Sequence, residues 1–454
     1  MKPLAIALLL CAALASAKEL PPPGGPPKPF RLPAAQDFTL PNGMKVTIVP
    51  YGEVPRLAVR VFIDAGRIYA PVGQTGIARL TALLMKEGTV TRTAEQVATE
   101  AAGMGGGVDI TAGAEYMSAG GVVLSDFGPR FILLLADVLE NPLLPDSEIA
   151  RLKKNLARDL AVEQAQAQSQ ALEHFLKLLF PNQPYGRVYP APGELERLTT
   201  AQVKAFYRAN CDAGRAHLYV AGKLGPGLRP AIEQAFSKWA RGAAPDIPPA
   251  MPSTTHAFAL VDRPNAPQST LFLGLAVAKP GSPDYMPLVV MDSLLGGSFA
   301  SRITSNIREQ KGYTYSPYSQ VATRHHMAFW LEAADVTTNV TGPSLKEIFY
   351  EINRLRDAPP SEAELKGIQN YLAGTFVIRN TMSADAVINQ LQFVDSQDLP
   401  RSFLTEYVPR VMAVTPGEVQ RIAQKYIVPD KMTLVVVGDN AKIAEQIKPY
   451  ETTP

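Results

Sequence analysis

The sequence predicts an α+β protein of two homologous domains, each a mainly antiparallel sheet packed with helices. Its 454 residues exceed one ordinary domain and suit two of about 200 residues each. Strand-like segments are separated by runs of helical ones, which is the α+β order. The third observation is an internal repeat. Leu198–Phe206 leading to His217–Gly222 is echoed by Val414–Ile422 leading to Thr433–Gly438. A constant offset of 216 positions relates Thr199 to Thr415, Val203 to Val419 and Gly222 to Gly438, without a gap. In each copy a Thr is followed three residues on by Gln202 or Glu418, a capping box that satisfies free N–H groups at a helix start. Pro416 stands at the first helical position, where its missing N–H costs nothing.

The elements follow in order. Lys2, the apolar run Leu4–Leu14 and the small residues Ala15-Ser16-Ala17 read as a cleavable signal peptide over residues 1–17, which implies a periplasmic or secreted protein. The apolar run is too short to span a bilayer. A lipid anchor at Cys11 is disfavoured, because Leu8, Leu9 and Leu10 stand where small residues are needed. Residues 18–35 are rich in Pro and Gly and form an extended arm. The N-terminal domain then covers 36–241. It opens with a hairpin over Phe38–Val49, turned at Asn42-Gly43, and a β-branched strand at Leu57–Ile63. Thr93 to Ala102 forms a short helix, with Thr93 and Gln96 as a capping box and Gly103 ending it. Two strands lie within Val108–Leu124, and helices within 127–140 and 146–176. Residues 242–254, dense in Pro and Ala, are the linker. The C-terminal domain, 255–454, has strands at Ala257–Val261 and Thr270–Val277. Its helices are expected at 284–295, 298–310, 342–357 and 361–378.

Composition excludes several function classes. Hydrophobic residues make up 46% and charged residues 19%, so large cores are available and global disorder is excluded. A net charge of +2 with interspersed signs gives no basic face for nucleic acid and none for an anionic membrane. Nothing after the signal segment is apolar for long enough to span a membrane. Past Ala17 the one cysteine is Cys211. It excludes an intrachain disulfide and a thiolate zinc site, and reads as a small packed residue.

One block carries chemistry. In Gly296-Gly297-Ser298-Phe299-Ala300-Ser301-Arg302 the glycines make a close turn and Ser298 caps the helix that follows. Arg308 lies near that helix's end and Gly312 stops it. A strand then begins with Tyr313 and Tyr315 on one face. Arg308 and Tyr315, seven residues apart, can converge on one point and hold a peptide carbonyl as negative charge develops on it. Gly296, Gly297 and Ser298 belong to the same candidate surface.

This block closely resembles the C-terminal domain of the pitrilysin/insulysin-type zinc peptidases, the inverted zincins. The resemblance extends over nearly the whole chain, through Asn42-Gly43, Gly76-Ile77-Ala78, Gly88-Thr89, Pro184-Tyr185-Gly186 and both repeat ends. It implies a two-domain half-ring similar to mitochondrial processing peptidase and the bacterial heterodimeric peptidases. It also implies that Arg308 and Tyr315 contact substrate near a zinc ion.

The sequence departs from the family at the metal. Laid on Gly76-Ile77-Ala78, the family's His-x-x-Glu-His puts its first His at Arg79, its Glu at Ala82 and its second His at Leu83. Ala and Leu offer no lone pair, and Arg is permanently cationic. A third ligand would lie around residues 157–163, where Asp159 and Glu163 stand, but one carboxylate does not make a tight zinc site. His174, His217, His256, His325 and His326 are never spaced i, i+4. His325 and His326, if on a strand, point to opposite faces. The expectation is therefore a chain with no metal and no catalytic residue of its own. It would be the zinc-less subunit of an exported heterodimeric metallopeptidase, adding Arg308 and Tyr315 in trans to an active, zinc-bearing partner of the same family. The alternative is a purely structural subunit, like the family members embedded in respiratory complexes. An autonomous hydrolase is disfavoured because neither a nucleophile elbow nor a ligand cluster is present.

Overall fold

The computed structural model describes residues 31–452. The expected signal peptide, Cys11 and the arm as far as residue 30 lie outside the described residues. Six strands form the first sheet: β1 (Gln36–Thr39), β2 (Lys45–Pro50), β3 (Arg56–Ile63), β4 (Asp109–Ala112), β5 (Met117–Leu124) and β6 (Ala216–Gly222). Five form the second: β7 (Ala257–Asp262), β8 (Gln268–Val277), β9 (Tyr318–Arg324), β10 (Met327–Thr337) and β11 (Thr433–Gly438).

The strand orders are β1-β2-β6-β3-β5-β4 and β7-β11-β8-β10-β9. With β1 set aside, the second order repeats the first strand for strand. Each sheet has one parallel pair, β2 with β6 and β7 with β11, and is otherwise antiparallel. The duplication read from the repeat ends thus extends through the sheets. The capping boxes Thr93/Gln96, Thr199/Gln202 and Thr415/Glu418 all form, and Pro416 opens its helix.

The helices expected over 146–176 are two, Ile149–Gln164 and Ala167–Leu179, broken at Gln166, whose backbone is extended. The break lets the second helix leave its own domain. Phe175 and Leu179 pack with Phe272 of β8, Phe329 of β10 and Val435 of β11, and the Phe175 and Phe329 rings lie 5.9 Å apart. The reverse exchange occurs in the other half. The Ala384–Ser396 helix lies on β3 and β6 of the first sheet. There Asp385 pairs with Arg60 at 3.1 Å, and Asp395 accepts a 2.6 Å hydrogen bond from the Tyr219 hydroxyl. The two exchanged helices are 13 residues each, and the intervals Ala167–Ala384 and Leu179–Ser396 are both 217.

Residues 237–256 hold no helix or strand. They are tied down by hydrogen bonds from Gly242 N to Asp212 Oδ1 (3.0 Å) and from Ser253 N to the Leu179 carbonyl (2.7 Å). Among the described residues no helix is long and apolar enough to cross a membrane.

Candidate functional site

Arg79, Ala82 and Leu83, the positions expected for the metal motif, lie on the Ile77–Met85 helix. Its start needs Gly76, whose φ of 99° is left-handed. Ile77, Ala78, Leu80, Thr81, Ala82, Leu84 and Met85 turn into the core. Arg79 and Leu83, four apart, are the two less buried positions, as the 3.6-residue period requires. The neighbouring Ile149–Gln164 helix brings up Glu163. Arg79 Nη1 donates to Glu163 Oε2 at 3.0 Å, and Nη2 donates to Oε1 at 2.8 Å. This is the fork-to-fork geometry of guanidinium and carboxylate. The pair borders a cavity of about 180 Å³, with Arg67, Leu160 and Tyr189 on its walls and Ala112 of the edge strand β4 beside it.

A zinc ion does not suit these residues. Ala82 and Leu83 have no donor atoms, and both oxygens of Glu163 are held by a cation that cannot be deprotonated. Asp159 is turned to Arg158 at 3.2 Å. Among the described residues no group of three or more His, Cys, Asp or Glu is placed to hold a metal.

The Gly296 block is built on two π-helical segments, Ser293–Gly297 and Thr304–Gln310, a form that recurs at functional sites. Gly296 is buried, and a side chain there would run into Glu332 Oε2 and the Ser319 hydroxyl. At Gly297 a Cβ would lie 2.7 Å from Asp292 Oδ2. The glycine pair therefore makes room for two buried carboxyl groups. Asp292 accepts from Ser319 Oγ (2.6 Å) and Trp330 Nε1 (2.9 Å), and burial pushes its carboxyl up to about 6. Glu332 is fully buried with neither oxygen hydrogen-bonded among the described residues, and burial, then Asp292, pushes its carboxyl well above the usual range.

Two sequence expectations need correction. Ser298 does not cap the following helix. It ends the π-helical segment in extended conformation, and its buried hydroxyl has no hydrogen-bond partner among the described residues. The cap is Ser301, whose Oγ accepts from Thr304 N at 3.3 Å, because a turn at Phe299-Ala300 delays the helix. Nor does a strand begin at Tyr313. Gly312, at φ 66°, folds the chain back so that Tyr313 N reaches the Ile307 carbonyl at 2.8 Å. Thr314 makes a single bridge to Val336, and β9 starts at Tyr318.

Arg308 and Tyr315 are nevertheless brought together. The Arg308 guanidinium carbon lies 4.8 Å from the Tyr315 ring centroid and 4.4 Å from that of Phe299. Its Nε pairs with Glu309 Oε1 at 3.0 Å. Phe299 was not singled out from sequence; an aromatic directly after Gly-Gly-Ser was the available signal.

The sequence reading also missed a polar cluster between the halves. Asp64, Tyr116, His217, His325, His326 and Asp395 border a cavity of about 200 Å³. His325 and His326 do not diverge on a strand. They form the β9–β10 turn, with His326 at φ 57°, and both face this cavity. Burial pushes Asp64 up to about 6 and His217 down to about 3. Among the described residues His325 Nε2 is buried without a hydrogen bond, 3.9 Å from Asp64 Oδ1. These residues lie far apart in the chain, so no spacing could reveal them.

Comparison with known proteins accords with the geometry. The pattern of insulinase (peptidase family M16) matches residues 50–193, and that of the peptidase M16 inactive domain matches residues 197–372. The chain belongs to peptidase family M16. Within M16, the beta subunit of the mitochondrial-processing peptidase of Blastocladiella emersonii is 24% identical over 90% of each chain. An uncharacterized zinc protease of Rickettsia felis is 25% identical over 72% of this chain and 79% of its own. The fold is shared with a peptidase M16 inactive domain from Pseudomonas fluorescens, at a TM-score of 0.81, 24% identity and coverage of 89% of this chain and 98% of that one. It is shared equally with a protease from Helicobacter pylori, at a TM-score of 0.83, 19% identity and coverage of 90% and 100%. The match to the M16 inactive domain, together with the lack of donor atoms at Ala82 and Leu83, supports a pseudo-peptidase within the family.

Proposed function

We propose that this chain is the zinc-less subunit of a heterodimeric M16 metallopeptidase, exported to the periplasm or beyond after cleavage at Ala17. An active partner of the same family would hold the zinc, and this chain would present Arg308 and Tyr315 to a peptide substrate. The carrying observation is a contrast within one chain. At the metal motif Arg79 holds both oxygens of Glu163, whereas Arg308 and Tyr315 adjoin each other and Tyr315 is 77% exposed. The first site is closed to chemistry and the second is open to a ligand. A purely structural subunit has no need of the open one. The edge strand β4, beside the Arg79 cavity, supplies unpaired backbone groups along which an extended peptide can add as a further strand.

The test is co-purification with an exported M16 chain bearing intact His-x-x-Glu-His. Arg308→Ala and Tyr315→Ala should each lower peptide turnover by roughly ten-fold or more, the scale for loss of one charge-stabilising group, without dissociating the pair. Unchanged turnover in both variants overturns the in-trans role.

A further inference from the structure

We propose that Phe299, Arg308 and Tyr315 form a clamp for a carboxylate group of a peptide. The proposal rests on the functional reading above for placing Arg308 and Tyr315 at the substrate, but the carboxylate preference is a property of this chain alone.

The clamp is defined by which parts of the guanidinium are taken. Phe299 and Tyr315 are 64% and 77% exposed, so their rings are not held out by core packing. Each instead lies against Arg308, with ring centroids 4.4 and 4.8 Å from the guanidinium carbon, within the range of cation–π attraction. Nε is turned to Glu309 Oε1 at 3.0 Å. Among the described residues the two terminal amino groups of Arg308 have no acceptor, and the Tyr315 hydroxyl has no partner. Two rings against one guanidinium limit its movement, and the side chain keeps 24% of its surface exposed. A planar group with two parallel N–H donors is matched by a planar group with two acceptor oxygens. A main-chain carbonyl offers one such oxygen and a carboxylate offers two. Lys would keep the charge but lose both the plane and the stacking. Glu309 is the opposing term, because its carboxylate repels an incoming anion.

The carboxylate can come from an acidic side chain or from a peptide C-terminus, and one binding experiment distinguishes them. The purified full chain, without a partner, is titrated by calorimetry with three ten-residue peptides of otherwise identical sequence. One carries a central Glu and an amidated C-terminus, one a central Gln and an amidated C-terminus, and one a central Gln and a free C-terminus. At least one carboxylate peptide should bind roughly ten-fold more tightly than the neutral one, as a charge-assisted pair does, and which of them does identifies the source. Arg308→Ala should abolish the difference, and Arg308→Lys should reduce it. Phe299→Ala and Phe299→Leu should each reduce it by roughly two- to five-fold, the worth of one exposed cation–π contact, with the thermal midpoint unchanged. Glu309→Gln should strengthen carboxylate binding. Equal binding of all three peptides by the unmodified chain, including equal absence of binding, overturns the clamp. So does a preference that survives Arg308→Ala, is undiminished in Arg308→Lys or is untouched in both Phe299 variants. Because no partner is present, failure of the heterodimer reading leaves this result standing. A heterodimer whose chain shows no preference refutes the clamp alone.

Discussion

Arg79 and Glu163 sit on neighbouring helices and meet through two hydrogen bonds, of 3.0 and 2.8 Å. The guanidinium thus neutralises Glu163, while the nearby Asp159 is turned to Arg158. The Arg79 and Glu163 side chains are both more than a third exposed, so the pair contributes little to stability, under about 1 kcal/mol. Its effect is chemical, since it replaces an exchangeable cation with a covalently attached one.

Removing that cation should reopen the site to metal. The double variant R79H/L83H sets two imidazoles at i and i+4, with Glu163 in reach as a third ligand, the number that catalytic zinc sites use. The expected result is one zinc per chain after dialysis, measured by elemental analysis, and loss of that zinc when E163Q is added. Absence of zinc, or zinc indifferent to E163Q, would show that the two helices do not align their side chains for a metal.

The buried carboxyl groups predict an inverted acid response. Folding raises Glu332 well above its usual value, and Asp292 from 3.8 to about 6. A group raised by folding contributes stability that is fully present below its unfolded pKa and is lost as pH rises through its folded pKa. The Asp292 contribution therefore declines between about pH 4 and pH 6, and the Glu332 loss continues above its ordinary range. E332Q, which mimics the protonated form, should be more stable than the parent at pH 8 and lose most of that gain at pH 5. Urea midpoints at the two values decide the matter; an equal effect of E332Q at both would refute a protonated Glu332.

The exchanged helices make the two domains energetically one. Phe175 is fully buried, so Phe175→Ala should cost roughly 3–5 kcal/mol. Although Phe175 belongs to the first half of the chain, its loss should weaken the second sheet equally. The expected outcome is a single cooperative transition at lower denaturant, seen identically by far-ultraviolet dichroism and by fluorescence. Two separated transitions would mean that the domains unfold independently.

Much of the fold was legible because its signals are local. Thr199/Gln202 and Thr415/Glu418 announce helix starts within four residues, and the repeat they belong to foretold the paired sheets. The lack of donor atoms at Ala82 and Leu83 was equally plain, since it depends on side-chain identity alone. What escaped notice depends on tertiary placement. The break at Gln166 carries neither Pro nor Gly, because its cause is the attraction of a foreign sheet for Phe175 and Leu179. The shift of the cap from Ser298 to Ser301 follows from a turn that either serine could have preceded. The Asp64, His217 and His325 cluster assembles residues from both halves, and Phe299 gained meaning when its ring was found against Arg308.

The swapped pair of helices, Ala167–Leu179 and Ala384–Ser396, also limits how this molecule can move. Each is a wedge driven by one half into the other, so rotation about residues 237–256 would pull both wedges out together and expose Phe175, Phe272, Phe329 and Tyr219 at once. The stretch that joins the halves looks like a hinge in the sequence and is in fact a strap. Rotation of one half against the other is therefore opposed at both wedges, and the two halves move as a single body.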